Sequence, residues 1–318
     1  MKANKVVLAG GGVLGAQIAF QSAFCGKDVT IWLRSESSIE RAKPRIEELH
    51  KTYLAELENL DNLKGKVSNN FPRGFVDNTQ DLTEEDIKHL KEKIDAAYEN
   101  IKYELDLGKA VSGAHFIIEA VAENVEEKQK FYGNLSEVVD DETIILSNSS
   151  TFLPSFFVQY LKNPERFLNF HFANKIWRNN TAEVMGHKNT DKKCIEETVE
   201  LAKEIRMVPL LLNKEQPGYL LNSLLVPLLD AGLKLWANDV ASVEDIDKAW
   251  KLGTGAPVGP FGIIDVVGLR TVYNIHSNEA EAKNPDSIEA KVLTKLKVLI
   301  DEGKIGVEAG EGFYSYKK

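Results

Sequence analysis

The string KVVLAGGGVLGAQIAF, residues 5–20, determines how this chain folds. Lys5 to Ala9 is a short apolar run with β-branched residues, which predicts a buried strand that enters a tight turn. From Gly15 to Phe24 apolar and small residues recur at helical spacing, and Gly26 is placed to end that helix. Val29 to Leu33 is typical of the next strand. A strand, a helix and a strand within about thirty residues predict a βαβ unit with parallel strands.

Residues 10–15 of this string, GGGVLG, match the pattern GxGxxG between a predicted strand and a predicted helix. Gly10 permits the tight turn, Gly12 leaves room for a pyrophosphate, and Gly15 lets the helix pack close to the strand. The helix N-terminus, which includes Val13 and Leu14, presents N–H groups that favour anions. The turn therefore predicts dinucleotide binding. The alternative is a glycine-rich turn without a ligand.

The end of the second strand reads Leu33-Arg34-Ser35. An acidic residue in this region would bind the ribose hydroxyls of NAD, whereas an arginine accommodates the 2′-phosphate of NADP. We therefore expect NAD as the cofactor and keep NADP as an alternative, with Arg34 and Ser35 forming a phosphate pocket. Arg34 can equally stack on adenine or remain solvated.

The rest of the chain predicts an α/β fold: a Rossmann-type doubly wound sheet with a helical insertion, followed by an all-α C-terminal domain. Residues 35–107 are charged and favour helix, so they form the expected insertion in a first domain of residues 1–214. The strands expected afterwards are 115–121, 143–146, 167–173, 182–185 and 207–212, and the helices are 123–139, 152–161 and 190–206. The second domain, residues 215–318, is expected to contain helices at 220–236, 243–252, 260–282 and 286–301.

Composition narrows the function classes. The 318 residues carry a formal charge of −9, with acids and bases interspersed, which argues against nucleic acid and an anionic membrane surface as partners. No apolar run reaches the ~20 residues that a membrane span requires. Two cysteines, Cys25 and Cys194, cannot build a disulfide framework or a four-ligand zinc site, so no metal is expected. The start of the chain lacks the pattern of a secretory signal, and we expect a cytoplasmic protein.

One of the six histidines stands out. His171 follows a buried run near the carboxyl end of a predicted strand, the edge at which open α/β sheets bind ligands. Glu183 begins the next strand and is placed to hold the imidazole, and Ser150 ends a strand and turn at the same edge. A base, an orienting carboxylate and a hydroxyl beside a nicotinamide are what the oxidation of an alcohol requires.

Seven strings together resemble the 3-hydroxyacyl-CoA dehydrogenase family, in that family's order and at nearly its spacing. They are EAVAENVEEK at 119–128, SNSS at 147–150, HFAN at 171–174, AEVM at 182–185, QPGYLLN at 216–222, GTGAPVGPFGIIDVVG at 253–268 and GEGFY at 310–314. The resemblance implies a dinucleotide domain, a helical domain that forms a homodimer, and oxidation of an L-3-hydroxyacyl-CoA, with a short chain the simplest case.

The resemblance also implies roles for single residues. His171 is then the general base, Glu183 orients it, and Ser150 and Asn222 hold the substrate oxygen. The residues that it marks for the cofactor are Glu123, Lys128, Asn148 and Asn174. A surface ion pair and a helix cap are the alternative explanation of Glu123, Lys128 and Asn174.

This chain departs from the family pattern at four positions. They are Leu33 for an aspartate, Lys175 for a proline, Ser223 for an arginine and Glu308 for a lysine. A dehydrogenase of a small polar 3-hydroxy acid without CoA, such as a sugar acid or carnitine, therefore stays as the alternative, and a dinucleotide sensor without turnover is a third. In the family the insertion contacts CoA, and basic residues that fit its phosphates here are Arg41, Lys43, Arg45 and Lys64.

Overall fold

The computed structural model describes residues 5–278 and 280–317. The chain forms two compact units, one ending at Leu220 and one beginning at Leu221. The domain boundary expected at residue 214 lies a few residues before this division.

The first unit is built on one eight-stranded sheet. Its strands are β1 (Lys5–Ala9), β2 (Asp28–Trp32), β3 (Lys102–Glu104), β4 (Phe116–Glu119), β5 (Ile144–Ser147), β6 (Phe167–Phe172), β7 (Thr181–Gly186) and β8 (Val208–Leu212). The order is β3-β2-β1-β4-β5-β6-β7-β8, and every neighbouring pair is parallel except β6 with β7. The predicted α/β fold with a Rossmann-type doubly wound sheet is confirmed.

Helices cover both faces of this sheet. They are α1 (Val13–Phe24), α2 (Glu36–Leu63), α3 (Glu84–Asn100), α4 (Leu107–Val111), α5 (Val125–Val138), α6 (Pro154–Phe157) and α7 (Lys192–Glu204). Alternate side chains of β1 enter different cores: Val6 and Leu8 pack on the α1 side, and Val7 and Ala9 pack with α5. This alternation follows from the two-residue period of a strand.

The predicted insertion is a pair of helices, α2 and α3, joined by residues 64–83. Its expected end at residue 107 was wrong, because Lys102–Glu104 pairs in parallel with β2 as the edge strand β3. Three residues, one of them an exposed lysine, are too few to show a strand period. The expected helix at 152–161 is also shorter: α6 starts at Pro154 and passes into a 3₁₀ turn, Val158–Tyr160.

The second unit is helical, as predicted. It contains α8 (Leu221–Ala237), α9 (Val243–Thr254), α10 (Pro260–Val267), α11 (Leu269–Ser277) and α12 (Ile288–Asp301). The single helix expected at 260–282 was wrong, because Gly268 adopts φ 92° and separates α10 from α11. The buried carboxylate of Asp265 accepts hydrogen bonds from the N–H groups of Phe313 and Tyr314, which fixes the GEGFY segment. Within the described residues, none of the helices has the length and apolarity needed to cross a bilayer.

Candidate active site

A cleft of about 380 Å³ opens where the chain leaves β1 and β4, the point at which the strand order reverses. Gly10 to Gly12 form one wall, and Ala120 to Ala122 form the facing wall. Gly10 has φ 118°, and a Cβ at this position would lie 2.4 Å from the carbonyl oxygen of Ala120. Only glycine fits this close approach. Open α/β sheets bind their ligands at such a switch point.

The N-cap residue of α1 lines this cleft, and the helix N-terminus that follows it suits a pyrophosphate. Gly12 is the N-cap, and no side chain among the described residues caps the helix there. A Cβ on Gly12 would meet no atom within 4 Å, so the glycine leaves open space over the first N–H groups, those of Val13, Leu14 and Gly15. Uncapped N–H groups at a helix N-terminus attract anions. The residues present therefore fit the phosphates of a dinucleotide.

Arginines line the outer part of the cleft. Arg34 donates a hydrogen bond to Glu127 at 2.9 Å, and Arg41 donates to the hydroxyl of Ser38 at 2.9 Å. Arg45 donates to the carbonyl oxygen of Gly11 at 3.1 Å. Two of the residues that the sequence associated with CoA phosphates thus lie at the glycine turn.

The other two insertion residues associated with CoA lie in local contacts. Lys43 lies over the ring of Tyr103, and Lys64 pairs with Asp61 and Glu84.

His171 and Glu183 face each other across one antiparallel pair of the sheet. In the register of β6 with β7, His171 is directly opposite Glu183, so both side chains lie on the same face. The Nδ1 atom of His171 is 2.8 Å from Oε2 of Glu183, and both residues are buried. The Oγ atom of Ser150, which follows β5, is 3.0 Å from Nε2 of His171. The structure therefore brings three of the four predicted catalytic side chains into one hydrogen-bonded chain.

A tyrosine that the sequence did not single out packs on this histidine. The ring of Tyr219 stacks on the imidazole of His171 with 4.3 Å between ring centroids and 13° between the planes. Its hydroxyl donates to the carbonyl oxygen of Ser149 and accepts from Nδ2 of Asn169. Burial raises the pKa of the Tyr219 phenol well above its ordinary range, so the hydroxyl remains a donor at neutral pH. The sequence showed this tyrosine within the string QPGYLLN, but it gave no sign that the ring packs on His171.

Glu123 and Lys128, both predicted to bind the cofactor, belong to a polar network that joins the ends of β4 and β5 to α5. Nζ of Lys128 is buried, 2.6 Å from Glu119 and 3.2 Å from Glu123. Glu119, which is fully buried, also accepts hydrogen bonds from Tyr132 and from Ser147.

Glu123 in turn accepts hydrogen bonds from the hydroxyl of Ser149 and from the N–H of Thr151. Burial raises the pKa of Glu123, but these hydrogen bonds and the charge of Lys128 outweigh it and leave the pKa below its ordinary value. The carboxylate of Glu123 is about one-third exposed, so it is the member of the network that a ligand can reach.

The three predicted asparagines lie in different places. Asn148 follows β5, and its Oδ1 accepts a hydrogen bond from the N–H of Phe172. Asn174 is exposed in the loop after β6, and its carbonyl oxygen accepts from Asn179. Asn222 is the second residue of α8 in the second unit. Its predicted contact with the substrate oxygen stays a prediction.

The loop after β6 explains one departure from the family pattern. Lys175 has φ 59°, and its N–H donates to Oε1 of Gln17 at 2.8 Å. Proline fixes φ near −65° and has no N–H, so it cannot occupy this position. The loop after β6 therefore has a backbone conformation at residue 175 that the proline common in the family cannot adopt.

The insertion holds the same loop in place. The buried carboxylate of Glu56 in α2 accepts a hydrogen bond from Nε1 of Trp177 at 3.0 Å and pairs with the guanidinium of Arg178. The hydrogen bonds that Arg178 donates to Glu56 raise the pKa of the guanidinium further above its already high value. Tyr53 and Phe75, also from the insertion, pack with Trp177 in the core. The insertion thus supports the segment that follows His171.

Comparison with known proteins identifies the family. Residues 5–216 match the model of the 3-hydroxyacyl-CoA dehydrogenase NAD binding domain, and residues 218–316 match the model of the C-terminal domain of the same family. The human mitochondrial hydroxyacyl-coenzyme A dehydrogenase is 31% identical over 314 residues, which is 98% of this chain and 91% of the human protein. A 3-hydroxybutyryl-CoA dehydrogenase of Clostridioides difficile is 28% identical over 316 residues, 99% of this chain and 100% of that protein.

Among solved structures, a diketoreductase described as performing substrate-directed dual catalysis of dicarbonyl compounds is 40% identical. Its TM-score is 0.84, and the match covers 99% of this chain and 100% of that one. The two family models account for nearly the whole chain, and the cleft and the glycine turn agree with them. The chain belongs to the 3-hydroxyacyl-CoA dehydrogenase family of NAD-dependent oxidoreductases.

Proposed function

We propose that the protein interconverts an L-3-hydroxyacyl-CoA of short chain length and the corresponding 3-oxoacyl-CoA. The observation that carries this proposal is the hydrogen-bonded chain from Ser150 through His171 to Glu183 at the carboxyl edge of the sheet. When bound, the nicotinamide cofactor accepts or supplies the hydride. The named relatives that act on hydroxyacyl-CoA or 3-hydroxybutyryl-CoA support the substrate class.

In this proposal His171 moves the proton of the substrate hydroxyl. Nε2 of His171 accepts that proton during oxidation and returns it during reduction. Glu183, bonded to Nδ1, selects the tautomer with a bare Nε2 and stabilises the imidazolium that forms. Ser150 donates to the substrate oxygen as its charge changes, and we assign the same task to Asn222.

For the cofactor, we propose that Gly12 and the N-terminal N–H groups of α1 bind the pyrophosphate. Glu123, Asn148 and Asn174 are proposed to line the nicotinamide end, and Lys128 acts there through its ion pair with Glu123. Buried as it is, Lys128 orients the carboxylate instead of contacting the ligand itself.

The alternative substrate is a small polar 3-hydroxy acid or dicarbonyl compound without CoA. The 40% identity to a diketoreductase favours it, as does the path of the loop at Lys175. This alternative keeps every proton-transfer role and changes only what the cleft admits.

A spectrophotometric assay separates the two substrates. Purified protein is mixed with NADH or NADPH and acetoacetyl-CoA, and the loss of nicotinamide absorbance is followed beside reactions with acetoacetate, a small diketone and an oxidised sugar acid. Turnover that depends on the CoA moiety supports the proposal, whereas faster turnover without it favours the alternative.

His171→Gln should lower kcat by about 10²-fold or more while cofactor binding is retained. The control is His89→Gln, an exposed site on α3, and a wild-type rate in His171→Gln would refute the assignment of the base.

We also propose a homodimer formed through the helical unit and located in the cytoplasm. Large apolar side chains are exposed on that unit, among them Leu224 at 75%, Leu252 at 84% and Val266 at 65%. Exposed apolar surface of this kind favours association. Cys25 and Cys194 are free thiols, which suits a reducing compartment.

A further inference from the structure

We propose that the outer end of the dinucleotide cleft is a binding site for a ribose 2′-phosphate, so that this member of an NAD-dependent family departs from it and binds NADP(H) more tightly than NAD(H). Arg41 and Ser38, both on α2, are the principal phosphate ligands, and Arg34 and Arg45 complete the site. The inference deepens the proposed function and rests on its dinucleotide cleft.

The first observation is the charge of the cleft. Three arginines and one glutamate line it, which gives these side chains a net charge of +2. A dinucleotide with a 2′-phosphate carries about two more negative charges than one without, by the charge of a phosphate monoester near pH 7. The net positive charge of these side chains is therefore similar in size to the negative charge that the 2′-phosphate adds. Arginine also suits this group geometrically, because its planar guanidinium donates several hydrogen bonds to phosphate oxygens.

The second observation concerns the packing of the Leu33 side chain. The Leu33 side chain is buried against Ala42 and the glycine turn, since a Cβ placed on Gly11 would lie 3.2 Å from Leu33 Cδ2 and 2.7 Å from the Ala42 Cβ. Leu33, the residue after β2, therefore contributes a mostly buried apolar side chain to the lining of the cleft, and not a carboxylate. The carboxylate that does line the cleft, Glu127, is paired with Arg34.

The third observation is that the phosphate ligands are already arranged. Arg41 donates one of its five N–H groups to the hydroxyl of Ser38 at 2.9 Å, and that hydroxyl is 3.0 Å from the hydroxyl of Ser35. Arg45 is held at the glycine turn by the carbonyl oxygens of Gly11 and Arg41. Guanidinium and hydroxyl donors thus converge where a phosphate would approach, and they need little reorganisation to receive it.

Glu127 has an opposing effect in this arrangement. It neutralises Arg34 and would repel a phosphate, so it weakens the preference for the 2′-phosphate. Removal of this carboxylate should release Arg34 and increase the affinity for NADPH. The two substitutions Arg41→Ala and Glu127→Gln therefore have opposite expected signs.

The test is direct binding without substrate. Dissociation constants for NADPH, NADH, adenosine 2′,5′-bisphosphate and adenosine 5′-monophosphate are measured by calorimetry. The wild type should bind NADPH about tenfold more tightly than NADH, a ratio that one charge-assisted contact supplies. Arg41→Ala should remove most of that ratio and leave NADH nearly unchanged, whereas Glu127→Gln should strengthen NADPH binding. The matched control is Lys192→Ala, which removes one positive charge from α7 at the other end of the sheet.

Two results would overturn the inference. One is equal affinity of the wild type for NADPH and NADH, or for the two adenosine probes. The other is that Glu127→Gln weakens NADH more than NADPH, which would make the cleft a site for a ribose diol. Because these measurements need no turnover, a protein that prefers NADPH but fails to reduce acetoacetyl-CoA contradicts the proposed function and leaves this inference intact.

Discussion

At the scale of single residues, the candidate base is held from three directions. Glu183 contacts its Nδ1, Ser150 contacts its Nε2, and the ring of Tyr219 lies parallel to the imidazole. Glu183 is itself held, because its Oε1 accepts a hydrogen bond from the N–H of Leu220 at 2.8 Å. A ring supported on an edge and on a face keeps one orientation, which is what proton transfer over a short distance requires.

Tyr219→Phe separates the ring of this residue from its hydroxyl. The variant keeps the stack on His171 but leaves the buried amide of Asn169 and the carbonyl of Ser149 without this partner. We expect a loss of about 1–3 kcal/mol in the free energy of unfolding, with kcat nearly unchanged. Chemical denaturation and steady-state kinetics measure the two effects, with Tyr160→Phe as the control. A large fall in kcat at unchanged stability would show that the hydroxyl, not the ring, supports the base.

Lys175→Pro introduces the residue common in the family at a position whose backbone excludes it. With φ 59° and a hydrogen bond from its N–H to Gln17, this site should lose more than about 1 kcal/mol of unfolding free energy on substitution. Lys175→Gly is the matched control and should remain within about 1 kcal/mol of wild type, since glycine adopts positive φ readily. Thermal unfolding of both variants tests this. A proline variant as stable as the glycine variant would contradict the observed loop path.

At the scale of elements, the sequence predicted what depends on local periodicity. The glycine turn, the placement of His171 near the end of a strand and the helical second unit all follow from short patterns. The edge strand β3 was missed because three residues carry no period, and the break at Gly268 was missed because apolar spacing continues across it. Tyr219 was missed because stacking on His171 depends on tertiary packing that neither segment encodes alone.

At the same scale, the insertion and the loop after β6 are coupled through the contacts of Glu56 with Trp177 and Arg178. Glu56→Gln weakens the pair with Arg178 and one hydrogen bond from Trp177, so we expect a loss of about 1–3 kcal/mol in the free energy of unfolding. Because the loop directly follows the strand that carries the candidate base His171, we expect KM for the acyl substrate to rise more than kcat falls. Glu58→Gln, exposed on the same helix, is the control. If KM is unchanged while the free energy of unfolding falls, the contacts of Glu56 with the loop contribute to stability alone.

The hydrogen bonds and the ion pair of Glu123 make the stability of the folded protein depend on pH. The folded pKa of Glu123 is lower than its unfolded value of about 4.3, so its contribution to stability is complete above that pH. The contribution is lost as the pH falls through the lower folded value, because the unfolded state takes up the proton first. Glu123→Gln should therefore differ from wild type near neutral pH and converge with it in acid. Denaturation at a series of pH values, with Glu126→Gln as control, tests this prediction. A difference in unfolding free energy between Glu123→Gln and wild type that grows in acid would contradict it.

At the scale of the whole molecule, the proposed homodimer is tested by sedimentation and light scattering. Leu224→Asp places a charge on an exposed apolar position of α8 and should convert the dimer into a monomer. Val67→Asp is the control, since Val67 is 78% exposed in the insertion loop of the first unit. A wild type that is monomeric at micromolar concentration, or a Leu224→Asp variant that stays dimeric, would contradict the proposed interface.

The single antiparallel pair of the sheet has a consequence for how such enzymes diversify. His171 and Glu183 occupy one rung of the ladder between β6 and β7, so their separation is independent of how many residues join the strands. Insertions and deletions within 173–180 can therefore reshape this loop without changing the distance between His171 and Glu183. Members of one family can thus differ in the length of this hairpin and still keep the paired histidine and carboxylate at the same separation.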